Sequence, residues 1–423
     1  MMVRPTPLRL LCAALVLAAL LLTTHLRALF GGGRRYDLAG PAPPGPACAA
    51  TIVLTLGAGQ VHTQLPRYLR RLGRCKHDVL LFSDRQDSYH GLAIADALAH
   101  VRPEYRFNNA DFDVYDRIQN ANASAATTRD GRRLDKYKAL PMMEWTAYLR
   151  PDAPWFVFVE LDTYVNYDNL FRFLARFNPA SAHYFGAPVW PTNTPAFAHG
   201  GSGYVLSRGA LQKIMALGRM FGENKHFPGT HFFGQDVQNT CCGDQVLAQV
   251  LKKSGVPLRG YWPMFNREPP SGVRFNREQW CEAVITLHPL QDDDFAALGA
   301  WEDARAHPER PLMFEELYTL AEPTIQEKLD DWTNLSQDKT YKQGSTPAKS
   351  FDKCHRACLQ DAKCMQFEYT GLECHLEHSI RLGHHKAPDG ERKSMSGWIT
   401  SRIESFKKKH SPCQGAHFVH SNP

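Results

Sequence analysis

Short apolar runs separated by polar turns dominate the chain between residues 49 and 300. Three runs rich in β-branched or aromatic residues predict buried strands, at residues 49–56, 78–82 and 155–159. The first two enclose residues 65–72, whose spacing predicts a helix. A strand, a helix and a second strand with short connections indicate a parallel sheet in an α/β fold. The same patterns predict three further elements: a helix over residues 134–149, a strand over 183–189 and a glycine-rich turn over 199–203.

Polar residues follow these strands at the places where α/β sheets bind ligands, the carboxyl ends of the strands. Glu160 and Asp162 come directly after the most apolar strand. Carboxylates at the end of a buried strand are costly unless they bind something. A later short strand ends in His288, and a predicted helix over residues 244–253 has Asp244 near its start.

Glu160, Asp162 and His288 together predict a site for a divalent metal ion. Carboxylate oxygens and imidazole nitrogens are ligands for Mn²⁺ or Mg²⁺. Such an ion would neutralise the diphosphate that leaves when a sugar is transferred from a nucleotide sugar. Asp244 would serve as the general base for an acceptor hydroxyl. Direct displacement by that acceptor would invert the anomeric centre.

Each of these residues also has a purely structural interpretation. Asp162 is equally well explained as a helix N-cap or a turn residue, and Asp244 alone is better explained as a helix cap. His288 precedes a proline, as structural loop residues often do, and the glycine run 200–203 fits an ordinary hairpin. Only the order and spacing of the residues favour catalysis.

The N-terminal region sets the expected compartment. Residues 10–22 are uninterrupted apolar sequence after Arg9, a length between that of a signal-peptide core and that of a spanning helix. No small-x-small cleavage site follows. We therefore predict a cytosolic tip and uncleaved signal anchor over residues 1–30 and a Gly/Pro-rich stem over 31–47. A cleaved signal peptide is the alternative, and both place the body in the lumen or outside the cell.

Cysteine usage agrees with an oxidising compartment. Of eleven cysteines, Cys12 lies in the apolar segment and the other ten form an even number without the CxxC spacing of zinc sites. Disulfides are therefore expected, with their pairing open. Two glycosylation sequons, at Asn122 and Asn334, are compatible with lumenal exposure. The net charge of +6 lies largely at the chain ends, so nucleic-acid binding is not expected.

Changes in composition along the chain predict several regions between residues 48 and 423. Residues 48–305 would form the α/β domain, and the polar, proline-containing stretch 306–349 reads as a linker. Residues 350–405 are dense in cysteine and too few to hold a core without disulfides. A basic tail, 406–423, completes the chain.

Four blocks in this order resemble glycosyltransferase family 31, the fringe and core 1 β1,3-galactosyltransferase family. The blocks are WFVFVELDTYVNYDNL, HGGSGYVLSRGAL, CGDQVLAQVLKKSGV and ITLHPL. The resemblance covers about residues 50–300 and looks most like a fungal-type branch. It implies a GT-A nucleotide-diphospho-sugar transferase fold, UDP-sugar donors, Mn²⁺ and β1,3 linkages.

The resemblance also implies roles for individual residues. Asp162 would be a metal ligand with Glu160 as its partner, His288 the remaining ligand, and Asp244 the general base. The family's triplet is usually three aspartates, whereas Leu161 stands in the middle here and glutamate comes first. Five further residues would lie near the donor: Asp84 by the uridine, Lys136, Tyr137, Gly201 and Gly203.

The cysteine-rich region resembles a PAN/apple module. Cys354 and Cys358 are spaced to share one helix face, and Cys364, FEY and Cys374-His-Leu follow. The resemblance implies a small α+β unit that binds proteins or carbohydrates. A cap that only stabilises the larger domain is an equal alternative.

Together these features predict a single-pass type II glycosyltransferase of the Golgi membrane. It would transfer a sugar, expected to be galactose, from a UDP-sugar to a glycan or glycoprotein acceptor. The alternative is a weakly active or inactive transferase fold that serves as a lectin-like binding protein. Only the altered triplet favours that alternative, and a hydrolase is disfavoured because no Ser-His-Asp pattern is evident.

Overall fold

The computed structural model describes residues 48–101, 106–120, 131–221, 237–390 and 392–422 of the 423-residue chain. The predicted anchor and stem, the sequon at Asn122 and Cys12 lie outside the described residues. Among the residues that are described, no helix is long and apolar enough to cross a membrane.

The described strands are mostly short, and many contain only two or three residues. In chain order they are β1 (Thr51–Thr55), β2 (Val79–Ser83), β3 (Asp87–Tyr89), β4 (Leu92–Asp96), β5 (Trp155–Glu160), β6 (Tyr164–Val165), β7 (Tyr184–Gly186), β8 (Pro188–Val189), β9 (Phe197–Ala198), β10 (Tyr204–Ser207), β11 (Arg259–Gly260), β12 (Thr286–Leu287), β13 (Leu329–Asp330), β14 (Trp332–Thr333), β15 (Lys339–Tyr341), β16 (Gln366–Tyr369), β17 (Cys374–Glu377), β18 (His384–His385) and β19 (Met395–Trp398).

Helices fill the connections between these strands. They are α1 (Leu65–Arg71), α2 (Asp111–Asn120), α3 (Asp135–Leu149), α4 (Tyr167–Leu174), α5 (Arg208–Phe221), α6 (Gly243–Lys253), α7 (Asp292–Asp303), α8 (Phe314–Ala321), α9 (Phe351–Gln360) and α10 (Thr400–His410).

A mixed eight-stranded sheet forms the centre of the α/β part of the described chain, in the order β11-β7-β10-β5-β1-β2-β4-β3. β1 pairs in parallel with β2 on one side and with β5 on the other, whereas β10 runs antiparallel to β5. β5 is buried on both faces, because Val157 and Val159 face one apolar cluster while Phe156 and Phe158 face the other. This arrangement confirms the predicted α/β class and is consistent with a GT-A fold.

The stretch 306–349 differs from the predicted irregular linker. It contains α8 and three short strands, two of which join a second sheet of order β13-β19-β16-β17-β15. These strands are two or three residues long and lie at the edges of the sheet, as β15 does with its exposed Lys339. Edge strands face solvent, so their sequence is polar and lacks an apolar period.

Five disulfides pair the ten described cysteines, which confirms the prediction of disulfides over free thiols or zinc. One of them fastens α9 to β17 of the second sheet, and another joins α9 to the turn that follows it. The pairs are Cys48–Cys75, Cys241–Cys242, Cys281–Cys413, Cys354–Cys374 and Cys358–Cys364.

The C-terminal segment packs against the α/β part of the chain. Cys413 is bonded to Cys281 of the α/β part, and Asn422 donates its backbone N–H to the carbonyl of Gly260. Residues 406–410 of the predicted basic tail are the last residues of α10. The tail therefore contains ordered structure that contacts the α/β part.

Asn334, the asparagine of the second sequon, is buried in the folded chain. Asn334 is 0% exposed, and its Nδ2 donates to the carbonyls of Phe367 and Gly397 at 3.1 and 3.4 Å. A glycan requires a surface asparagine. The sequon here is part of the core of the second sheet.

Candidate active site

The carboxyl ends of β1 and β5 open into a cleft of about 640 Å³. Asp84, Glu160, Asp162, Asp244 and His288 all line it, although they come from distant parts of the sequence. A larger cavity, of about 1330 Å³, lies between α3 and α5 and contains none of these residues. The smaller cleft is therefore the one that carries chemistry.

Three potential metal ligands meet in this cleft. One ligand atom each from Glu160, Asp162 and His288 lies within 4.8 Å of the others, and Nε2 of His288 is 3.4 Å from Oδ1 of Asp162. Oδ1 of Asp162 and Nδ1 of His288 are buried without a hydrogen-bond partner among the described residues. Such unsatisfied polar atoms are costly unless something binds them, and this O/N donor set suits Mn²⁺.

A short antiparallel pairing brings His288 to the carboxylates. Leu287 of β12 lies opposite Tyr164 of β6, so the residue after β12 meets the residues before β6. The backbone N–H of Leu290 also donates to the carbonyl of Asp162 at 2.8 Å. A two-residue antiparallel pairing thus brings together residues that lie more than a hundred positions apart in the sequence.

The pKa of the Glu160 carboxylate is raised above its usual value. Solvent reaches its side chain through the open cleft, but the surrounding protein partly desolvates the carboxylate and raises its pKa to about 8, with a further contribution from the negative charge of Asp162. Carboxylates that crowd one site resist ionising together. A divalent cation between them would favour their ionised forms.

Leu161 faces away from the cleft. Its side chain is 1% exposed and packs in the apolar core behind the sheet. In the turn after β5, Leu161 is directed to the core, so the middle position of the triplet contributes no ligand here. Leucine at this position therefore removes nothing from the metal cluster.

Asp244 lies across the cleft in the first turn of α6. Its Oδ2 accepts the backbone N–H of Gly200 at 2.7 Å. Desolvation raises the pKa of Asp244 to about 6, although the hydrogen bond from Gly200 opposes this rise. A carboxylate with such a pKa is mostly ionised at neutral pH and is well matched to accept a proton.

The two helix-cap interpretations do not describe these aspartates. The N-cap of α6 is Cys242, and no side chain caps it by a hydrogen bond, so Asp244 is not the cap. The N-cap of α4 is Asn166, whose side chain accepts the N–H of Asn169, so Asp162 is not a cap either. Both carboxylates are left facing the cleft.

The glycine-rich turn fits closely around both catalytic candidates. A Cβ on Gly200 would overlap the carboxylate of Asp244, and a Cβ on Gly201 would overlap the ring of His288. Gly203 does not line the cleft. It has φ +74°, and its Cβ would lie 2.8 Å from Val159 of β5. Gly201 is thus where the resemblance implied, whereas Gly203 serves the packing behind the cleft.

Lys136 and Tyr137 lie away from the cleft, contrary to the expectation that they approach the donor. The Nζ of Lys136 donates to the carbonyl of Gln238 at 2.8 Å and is 3.0 Å from a carboxylate oxygen of Asp111. The hydroxyl of Tyr137 donates to the same carboxylate and accepts from Asn109. Successive helix residues point about 100° apart, so a shift of one residue changes the face completely.

Lys138 is the lysine that lines the cleft. It is 1% exposed, and its Nζ lies 2.9 Å from Oδ1 of Asp135 and 3.6 Å from Oδ2 of Asp84. Burial alone would lower its pKa, but the charges of Asp135 and Asp84 outweigh this and raise the pKa above its usual value. The i,i+3 pair with Asp135 was the available sequence signal.

His199 is a second residue that sequence reasoning did not single out. Its ring centroid is 5.4 Å from that of His288, and its Nδ1 accepts the backbone N–H of Ser202 at 3.1 Å. Burial and the neighbouring His288 lower its pKa to about 4. A neutral imidazole therefore packs against His288, the candidate metal ligand.

Comparison with known protein families agrees with this cleft. A family model described as Fringe-like matches residues 100–259. The match includes Glu160, Asp162, the glycine turn and Asp244, and it ends before His288. This stretch is thus similar to Fringe-like domains, and the similarity supports a glycosyltransferase of the family 31 type.

Proposed function

We propose that the protein is a metal-dependent inverting glycosyltransferase that uses a UDP-sugar. The observation that carries this proposal is the meeting of two groups in one cleft. One is the cluster of Glu160, Asp162 and His288, and the other is the separate carboxylate of Asp244. Sugar transfer needs a site for the leaving diphosphate and a base for the acceptor hydroxyl.

Glu160, Asp162 and His288 would hold a divalent ion such as Mn²⁺. When bound, the ion supplies positive charge that neutralises the leaving diphosphate. Their two unpartnered buried atoms, Oδ1 of Asp162 and Nδ1 of His288, support this assignment. Asp84 and Lys138 form the neighbouring wall of the cleft, where we place the nucleoside end of the donor.

Asp244 takes the proton of the acceptor hydroxyl in this scheme. As the hydroxyl oxygen bonds to the anomeric carbon, the bond from that carbon to the diphosphate oxygen breaks on the opposite face. The electron pair leaves with UDP, and the anomeric configuration inverts. The N–H of Gly200 holds one oxygen of Asp244 at 2.7 Å and so fixes the orientation of the base.

The finer assignments follow from the sequence resemblance. We propose galactose as the sugar, a β1,3 linkage, and a glycan or glycoprotein acceptor, in a fungal-type branch of the family. We also propose type II anchoring in the Golgi membrane through residues 10–22, and a PAN/apple-like module over 350–405 that has a protein or carbohydrate ligand.

A lectin-like protein without turnover is the rival function. Its support was the altered triplet, and the burial of Leu161 weakens that support because no ligand is lost at this position. Turnover separates the two functions directly.

The test is Asp244→Asn in the full-length chain, assayed with UDP-galactose and other UDP-sugars. We expect turnover to fall about 10²- to 10⁴-fold, the usual contribution of a general base. UDP binding in the presence of Mn²⁺ should persist, because Asp244 is not among the clustered metal ligands.

Asp293→Asn is the matched control, since Asp293 is an exposed acid in the first turn of α7. It should retain turnover. Full turnover by Asp244→Asn would show that another group takes the proton and would contradict the mechanism.

A further inference from the structure

Residues 266–275 lie beside β12 and beside His288, the residue that follows β12. The backbone N–H of His288 donates to the carbonyl of Glu268 at 3.3 Å. The N–H of Asn266 donates to the carbonyl of Thr286 at 3.1 Å. The position of His288 therefore depends on where this segment lies.

The other side of the same segment is hydrogen-bonded to the cysteine-rich C-terminal unit, by which we mean residues 350–422. Phe275 and Ile380 exchange two backbone hydrogen bonds, of 2.8 and 2.9 Å. The N–H of Gly383 donates to the carbonyl of Ser271 at 2.8 Å. Segment 266–275 thus lies between the C-terminal unit and the proposed metal site.

Arg381 is a buried side chain that links the two. It is 4% exposed, and its Nε donates to the carbonyl of Gly272 at 3.0 Å while its Nη1 donates to the carbonyl of Leu335 at 3.1 Å. Its Nη2 is also 3.7 Å from a carboxylate oxygen of Glu268. One buried guanidinium therefore joins the C-terminal unit to both ends of the loop from Glu268 to Gly272.

We propose that Arg381 is a positioning residue for the metal site, acting through Glu268 and His288. The proposal rests on the proposed function. Groups that hold a metal ligand in place affect affinity strongly, typically by 10- to 100-fold when they are altered. Loss of Arg381 would leave buried carbonyls unpaired and free the loop that fixes the His288 backbone.

This proposal gives the C-terminal unit a role in the metal site. The unit would not simply bind ligands or cap the fold. It would set the geometry of a metal ligand that lies outside its own sequence, through contacts that the 266–275 segment transmits.

The test compares Arg381→Met with Arg402→Met in the full-length chain. Arg402 is a matched control because its donors go only to carbonyls within the C-terminal unit, those of Cys358, Leu359, Asp361 and Cys364. Mn²⁺ affinity is measured by calorimetry, and Tm is measured in parallel. We expect Arg381→Met to weaken Mn²⁺ binding about 10-fold and Arg402→Met to leave it unchanged, even where both lower Tm.

Arg381→Lys provides a second variant that keeps the charge and is less disruptive. It should bind Mn²⁺ with intermediate affinity, because lysine cannot donate in several fixed directions. Hydrogen exchange of residues 266–275 should be faster in both Arg381 variants than in the control.

Two results would contradict the proposal, and they can be told apart. Wild-type Mn²⁺ affinity in both Arg381 variants would show that Arg381 has only a structural role, with the proposed function untouched. Absence of Mn²⁺ binding by the wild-type chain would overturn the proposed metal site itself.

Discussion

Glu160 and Asp162 share one side of the chain at the end of β5, and Leu161 occupies the other side. Leu161 and Asp162 form a turn after β5, and this turn directs Leu161 into the apolar cluster that Val157 and Val159 also face. It explains why a triplet with leucine at its centre keeps both carboxylates in the cleft. A search for three consecutive acids would miss a site of this kind.

At the residue scale, the sequence did not predict which side chains of α3 face the cleft, because this depends on the rotation of the helix about its axis. Lys136, Tyr137 and Lys138 are consecutive, and only Lys138 lines the cleft. A helix boundary uncertain by one residue changes which side chain faces a ligand. The burial of Lys138 follows from tertiary packing against Asp84, a partner that lies 54 residues earlier in the chain.

Glu282 should make the stability of the protein depend on pH. Its Oε2 is buried without a hydrogen-bond partner among the described residues, and burial raises its pKa from 4.5 to about 7. Because the folded state holds this proton more tightly, the contribution of Glu282 to stability is fully present below pH 4.5 and is lost as the pH rises through about 7. Glu282→Gln should therefore raise the free energy of unfolding above pH 7, by up to about 3 kcal/mol.

Urea unfolding at pH 5 and pH 8 checks this expectation. The advantage of the glutamine variant should be large at pH 8 and small at pH 5. His417 is 3.8 Å from the carboxylate and more than half exposed, so it offsets the burial of Glu282 little. An equal effect of the substitution at both pH values would contradict the assignment.

At the scale of elements, the turn between β9 and β10 contacts both groups that the proposed reaction needs. The hydroxyl of Thr163 donates to the carbonyl of Gly201 at 2.6 Å, and the N–H of Gly200 binds Asp244. The turn thus contacts both the proposed base, Asp244, and the proposed metal ligand, His288.

Gly200→Ala and Gly201→Ala should separate these two functions. The new methyl group overlaps Asp244 in the first variant and His288 in the second. We expect Gly200→Ala to lower kcat with Mn²⁺ affinity kept, and Gly201→Ala to lower Mn²⁺ affinity. Calorimetry and steady-state kinetics measure the two effects, and identical effects of both variants would contradict this division.

Elements with strong local signals were predictable. β1, β2 and β5 are apolar runs that pair in parallel at the centre of the mixed sheet, and their positions agree with the structure to within two residues. β6 and β12 contain two residues each, too few for any period to show. The pairing of β6 with β12, which brings the candidate metal ligands together, therefore had no sequence signal of its own.

At the scale of the whole molecule, the C-terminal unit and the α/β part are joined by a long-range disulfide. Cys281 and Cys413 are 132 residues apart, whereas Cys358 and Cys364 are 6 apart. Ten cysteines allow many pairings, so the sequence predicted disulfides without predicting this link.

Removal of the long-range disulfide should cost more stability than removal of the short one. The chain-entropy model gives about 5 kcal/mol for the double substitution Cys281→Ser with Cys413→Ser. It gives about 2 kcal/mol for Cys358→Ser with Cys364→Ser, the matched control. Denaturant unfolding of both variants measures the difference, and a larger loss for the short loop would contradict the expectation.

The central claim is that Asp162 helps hold a metal ion that binds the donor diphosphate. The most direct measurement is calorimetric binding of UDP to the full-length chain with and without Mn²⁺, for wild type, Asp162→Ala and the exposed control Asp152→Ala. We expect binding that requires Mn²⁺ in wild type and Asp152→Ala and that is lost in Asp162→Ala. UDP binding that is absent in wild type, or that is unaffected by Asp162→Ala, would contradict the proposed site.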